Sequence, residues 1–120
     1  MRGLIFGCLF GSFSVIFGAI LTHALSDMLT QKELHTLDVA AKYLFYGSIP
    51  LLMLHFSQAR WHWPKLLYNV FIVSSLLFSG SLILLIFTKI KWFGFITPIG
   101  GLLLVLSWYY FLFYGYKYNP

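Results

Sequence analysis

Near neutral pH, the proton-transfer and metal-ligand chemistry of this 120-residue chain is confined to four histidines, three acids and one cysteine. His23 precedes Asp27 by four residues. On a continuing helix the imidazole and carboxylate can pair, an arrangement suited to a proton relay or to ligand coordination. A histidine at a helix C-terminus also gains from the helix dipole. Further along, Asp38 and Lys42 form an i,i+4 pair in the favourable acid-first order, followed by Tyr43 and Tyr46. If the end of one helix and the start of the next share a face, His23, Asp38, Lys42, Tyr43 and Tyr46 form one polar cluster. An enzyme built here would use His23 with Asp27 or Asp38. His55 stands alone in an apolar stretch, where an ionisable group is a functional candidate by default.

Other chemistry is poorly supported. No two histidines have i,i+3 or i,i+4 spacing, and Cys8 lies in a different region, so neither a metal site nor a cofactor is expected. The many serines sit among glycines, as packing residues do, and lack an oriented base. There is no phosphate-cradling glycine loop. The single cysteine excludes an intrachain disulfide.

The elements that must position these residues are long and apolar. Residues 3–22, 43–59, 66–88 and 93–116 carry almost no charge, and about 20 helical residues suffice to cross a hydrocarbon core of about 30 Å. Composition agrees: 60% of residues are hydrophobic, 9% are charged and the mean hydropathy is +0.84. A soluble domain averages about 25% charged residues. The expected architecture is all-α: one domain over residues 1–120, an integral membrane four-helix bundle. The N-terminal apolar run is long for a signal peptide and reads as an uncleaved first span.

Between spans one and two, Thr30 and Glu33 have capping-box spacing, and Leu34, Leu37 and Ala41 recur at helical intervals. This predicts a short amphipathic helix at the interface, running into span two. Pro50 should kink span two. Gly3, Gly7, Gly11 and Gly18 on span one, Ser79 and Gly80 on span three, and Gly100 and Gly101 on span four are small residues suited to close helix packing. The turn from Arg60 to Lys65, with Trp61 and Trp63, reads as an interfacial anchor. Thr97 and Pro98 either unwind part of span four, as in discontinuous transporter helices, or kink it for packing. Arg2, Arg60, Lys65 and Lys117 fall on one side and Lys32, Lys42, Lys89 and Lys91 on the other, so the positive-inside rule gives a tie.

The net charge of +5 arises from scarce acids and not from a basic stripe, which argues against nucleic-acid binding. The lipid bilayer is the expected partner, with a homo-oligomer or another membrane protein as further possibilities. The polar inventory favours a non-enzymatic membrane module, either an accessory subunit or a small-solute or ion pathway. The alternative is the membrane-embedded enzyme described above.

Four motifs resemble a known family. Residues 18–25 (GAILTHAL), 37–46 (LDVAAKYLFY), 77–82 (LFSGSL) and 96–101 (ITPIGG), with Trp108 following, are similar to the YgdD/YwdK-like family of small bacterial membrane proteins, which has small eukaryotic transmembrane relatives. The similarity covers the chain in order. It departs at Gly47 and Ser48, where the family usually has histidine and alanine. The resemblance implies a four-span protein of the cell (inner) membrane, and it supplies no activity.

Overall fold

Capping residues and interfacial bases punctuate the chain, and between them it is helical. The computed structural model describes residues 2–118, apart from the side chain at position 22. It contains α1 (Arg2–His23), α2 (Gln31–Ser57), α3 (Lys65–Thr88) and α4 (Phe93–Tyr118), and no strand among the described residues. All four helices are long and apolar enough to cross a membrane. The protein is an all-α, four-span membrane bundle.

The turn after α1 closes where the Ala24 and Leu25 amides both donate to the Ile20 carbonyl. Thr30 then starts α2 with a complete capping box: the Glu33 amide donates to Thr30 Oγ1 at 3.2 Å, and the Thr30 amide donates to Glu33 Oε1 at 3.1 Å. Among the described residues there is no separate interfacial helix; residues 31–57 form one continuous element. The reason is local. No glycine or proline interrupts the chain between Thr30 and Gly47, and Leu37 and Ala41 are buried in one cluster with Phe17 and Leu21 of α1. Contact with α1 therefore holds the amphipathic segment upright. At about 1.5 Å per residue α2 is about 40 Å long, so its polar first turns project beyond a hydrocarbon core of about 30 Å. Pro50, fully buried, is accommodated within the helix.

Trp63 secures the α2–α3 turn, its indole N–H donating to Ser57 Oγ at 2.7 Å while the ring packs edge-on against Phe111 of α4. At the far end of α3, Lys89 takes a left-handed conformation (φ 60°) and its amide donates to the Leu85 carbonyl.

The helices pack in chain order: α1 along α2, α2 along α3 and α3 along α4, with a lighter α1–α3 contact. Because α1 and α4 share no extensive contact, the bundle is a folded row with these helices at its edges. Its sidedness is that of a protein in lipid. Large apolar side chains such as Phe56, Phe95 and Val15 are exposed, at 70%, 74% and 67%, whereas the buried polar residues among those described are all serines. In hydrocarbon, outward Leu and Phe carry no penalty and small residues bring helices together. Gly3 lies against the Leu51 carbonyl and Tyr68, and Gly7 against Leu52, closing α1 on α2. Gly100 lies on the backbone of Phe78, closing α4 on α3.

Candidate functional site

Helical spacing decides which candidate residues meet. Asp38, Lys42 and Tyr46 recur every four residues and share one stripe of α2. Lys42 Nζ lies 3.0 Å from Asp38 Oδ2, with the side chains 58% and 47% exposed. Tyr43 is turned toward α3, stacking on Phe78 at 4.4 Å between ring centroids, and its ring lies 5.2 Å from that of Tyr46. Four of the five proposed cluster members are thus neighbours on α2. His23 is not joined to them by any hydrogen bond, ion pair or ring contact among the described residues. It is exposed in the last residue of α1. Its pairing with Asp27 required a continuing helix, and the chain instead turns from Ala24 onward.

His55 lies in the last turn of α2, partly buried, with Gln58 Nε2 donating to its Nδ1 at 3.4 Å and the Phe56 ring edge-on beside it. Among the described residues no group of three or more His, Cys, Asp or Glu side chains could hold a metal ion.

The small residues divide by what surrounds them. A Cβ at Gly3, Gly7 or Gly100 would collide with a neighbouring helix, and one at Gly101 would press on the Phe78 ring at 3.3 Å. A Cβ at Gly11 would lie 3.6 Å from Ser48 Oγ, an ordinary contact, while one at Gly18 or Gly80 would meet nothing within 4 Å. Ser79 Oγ donates to the Ala40 carbonyl at 2.7 Å, and Ser81 Oγ bonds Thr97 Oγ1 at 2.6 Å. Thr97 and Pro98 lie within continuous helix, so the segment is not unwound; Thr97 packs on α3 through its bond to Ser81, and Pro98 is exposed.

Two features escape sequence reasoning. One is a cleft of about 450 Å³ between α2 and α4, walled by Tyr43, Tyr46, Ile49, Leu104, Val105 and Trp108, with Gly101 leaving room at its base. No periodicity announces it, since it depends on α2 and α4 both leaning on α3. The other is the link from Lys89 Nζ to Glu33 Oε2 at 2.9 Å, between residues far apart in sequence. That ammonium, together with the Thr30 amide, holds the Glu33 carboxyl well below the usual range, at about 2.

Comparison with known proteins agrees with the fold. Residues 17–101 match the family described as protein of unknown function (DUF423). A UPF0382 membrane protein of Haemophilus influenzae is 35% identical over 82% of this chain and 80% of its own length. One from Staphylococcus epidermidis is 33% identical over 88% of this chain and 87% of its own. The UPF0382 inner membrane protein YgdD of Escherichia coli K12 is 28% identical over 88% of this chain and 82% of its own. No solved structure matches. With four apolar helices and that match across most of its length, this multi-pass membrane protein belongs to the DUF423 family, whose function is unknown.

Proposed function

We propose that the protein is a non-enzymatic module of the cell (inner) membrane, acting as an accessory subunit to another membrane protein or to further copies of itself. One observation carries this: every buried polar side chain described is a serine, and five of the six hydroxyls are engaged in hydrogen bonds within or between the helices. Ser48, Ser74 and Ser107 bond carbonyls of their own helices, Ser79 bonds α2, and Ser81 bonds both its own helix and α4. Chemistry in a membrane interior requires a titratable group or a base held beside a nucleophile. Five of the six buried hydroxyls of this interior are engaged with helix groups, and two of them, Ser79 and Ser81, link one helix to another. The location rests on the four spans and on the inner-membrane designation of the Escherichia coli relative.

The test removes the chemistry and keeps the fold. Replacing His23, Asp38, Lys42 and Tyr46 together by Gln, Asn, Gln and Phe leaves the side-chain volumes nearly unchanged. In a deletion strain, the quadruple variant should restore competitive fitness as fully as the wild-type gene. The wild-type chain should also migrate, in mild detergent, in a complex of fixed stoichiometry. Failure of complementation by a variant present at normal membrane levels overturns the reading.

A further inference from the structure

At the membrane face opposite Glu33 and Asp38, the start of α1, the α2–α3 turn and the start of α3 enclose a cavity of about 550 Å³. Arg2, Gln58, Trp61, His62, Lys65 and Tyr68 line it. The volume falls within the range of about 300–1,000 Å³ typical of ligand pockets. The walls are braced. Arg2 Nη1 donates to Asn69 Oδ1 at 2.6 Å, Tyr68 Oη donates to Gln58 Oε1 at 3.5 Å, and the Arg60 guanidinium lies 5.5 Å from the centre of the Trp61 ring. Arg2 thus bonds a neutral partner and keeps its charge.

Charge is what distinguishes this end. The chain's three acids, Asp27, Glu33 and Asp38, all stand at the other end, where two of them neutralise Lys89 and Lys42. Arg2, Arg60, Lys65 and Lys117 therefore share an end with no acidic side chain among the described residues. Trp61 and Trp63 set the depth of the cavity at the headgroup layer, where indoles concentrate.

We infer that this cavity binds the phosphate-bearing headgroup of an anionic glycerophospholipid, with Arg2 and Lys65 as the charged contacts and Trp61 and Tyr68 as the interfacial walls. A basic recess between transmembrane helices, reached from the lipid, has the chemistry for such a headgroup. The inference does not depend on whether the protein is an accessory module.

The test is native mass spectrometry of the full chain in mild detergent, titrated with phosphatidylglycerol or with phosphatidylcholine of the same acyl chains. Phosphatidylglycerol should bind at least about tenfold more tightly. Lys65→Gln should weaken it about fivefold, corresponding to about 1 kcal/mol per base at a membrane surface. Arg2→Gln combined with Lys65→Gln should weaken it about 25-fold, leaving phosphatidylcholine unaffected. Lys65 is exposed, so the single variant decides the matter if the double variant misfolds. Lys91→Gln, at the opposite face, should change nothing. Equal binding of the two lipids overturns the inference, as does an equal loss in Lys91→Gln. Displacement of phosphatidylglycerol by millimolar inorganic phosphate would assign the cavity to a free anion and overturn the lipid assignment.

Discussion

Glu33 and Lys89 join the start of α2 to the end of α3, with Lys89 Nζ 2.9 Å from Glu33 Oε2 while Glu33 Oε1 accepts the Thr30 amide. One carboxylate therefore completes a helix cap and cross-links two helices. Because its ionisation is favoured in the folded state, its pKa is lowered from 4.5 to about 2. A group depressed in this way contributes stability that is full above its unfolded value and is lost as pH falls through the folded one. Thermal unfolding in detergent should accordingly show the midpoint declining between about pH 4.5 and about pH 2. Glu33→Gln can keep the capping geometry but not the charge. Its midpoint should lie lower at neutral pH and show a shallower decline across that window.

The backbone of Lys89 offers a second test. Its left-handed conformation disfavours any residue with a Cβ by about 1–2 kcal/mol, and glycine is the usual occupant after a helix end. Lys89→Ala and Lys89→Gly both lose the contact with Glu33, and only the second relieves the strain. The glycine variant should be more stable than the alanine variant by about 1 kcal/mol, measured by denaturant titration in mixed micelles. Equal stabilities would show that the strain is relaxed by other means.

The parts of the fold legible in the sequence are those set by local rules. Four stretches almost free of charge specify four spans, Thr30 and Glu33 specify where α2 begins, and small residues at intervals of four mark Gly3 and Gly7 for close helix packing, with the partner, α2, supplied by the structure. The continuity of α2 was not legible, because an amphipathic pattern such as Leu34, Leu37 and Ala41 is the same whether its apolar face meets lipid or a neighbouring helix. In the candidate site, Asp38, Lys42 and Tyr46 follow directly from helical periodicity. The placement of His23 depends on a chain reversal at Ala24 that no single residue signals. The basic cavity is written in the sequence only as charge asymmetry, since Arg2 and Lys65 are brought together by packing.

Buried serines should differ sharply in worth. Ser79 Oγ bridges α3 to the Ala40 carbonyl, whereas Ser75 Oγ, equally buried, has no hydrogen-bond partner among the described residues. Interhelical side-chain bonds in membranes average about 0.6 kcal/mol and reach about 1.7. Ser79→Ala should destabilise the bundle within that range. Ser75→Ala removes a hydroxyl that satisfies nothing and should be neutral or stabilising. Matched losses in the two variants would refute the distinction.

Gly47 explains why Ser75 is confined. A Cβ at position 47 would collide with Ser75 Oγ and lie 2.9 Å from Ser75 Cβ, so the α2–α3 contact requires a hydrogen at this point. Gly47→Ala should therefore cost about 1–3 kcal/mol, the usual penalty of overpacking. The cause is one pair of residues, so it should be reversible by one further change. Ser75→Gly removes both clashing atoms, and the Gly47→Ala/Ser75→Gly double variant should recover stability, with a coupling of at least about 1 kcal/mol in a double-mutant cycle. Gly80→Ala provides the contrast, because a Cβ there meets no atom within 4 Å and should leave the unfolding midpoint of the isolated chain within about 0.5 kcal/mol of wild type. Additive effects of the first two changes would mean that Gly47 is required by the α2 backbone and not by its contact with α3.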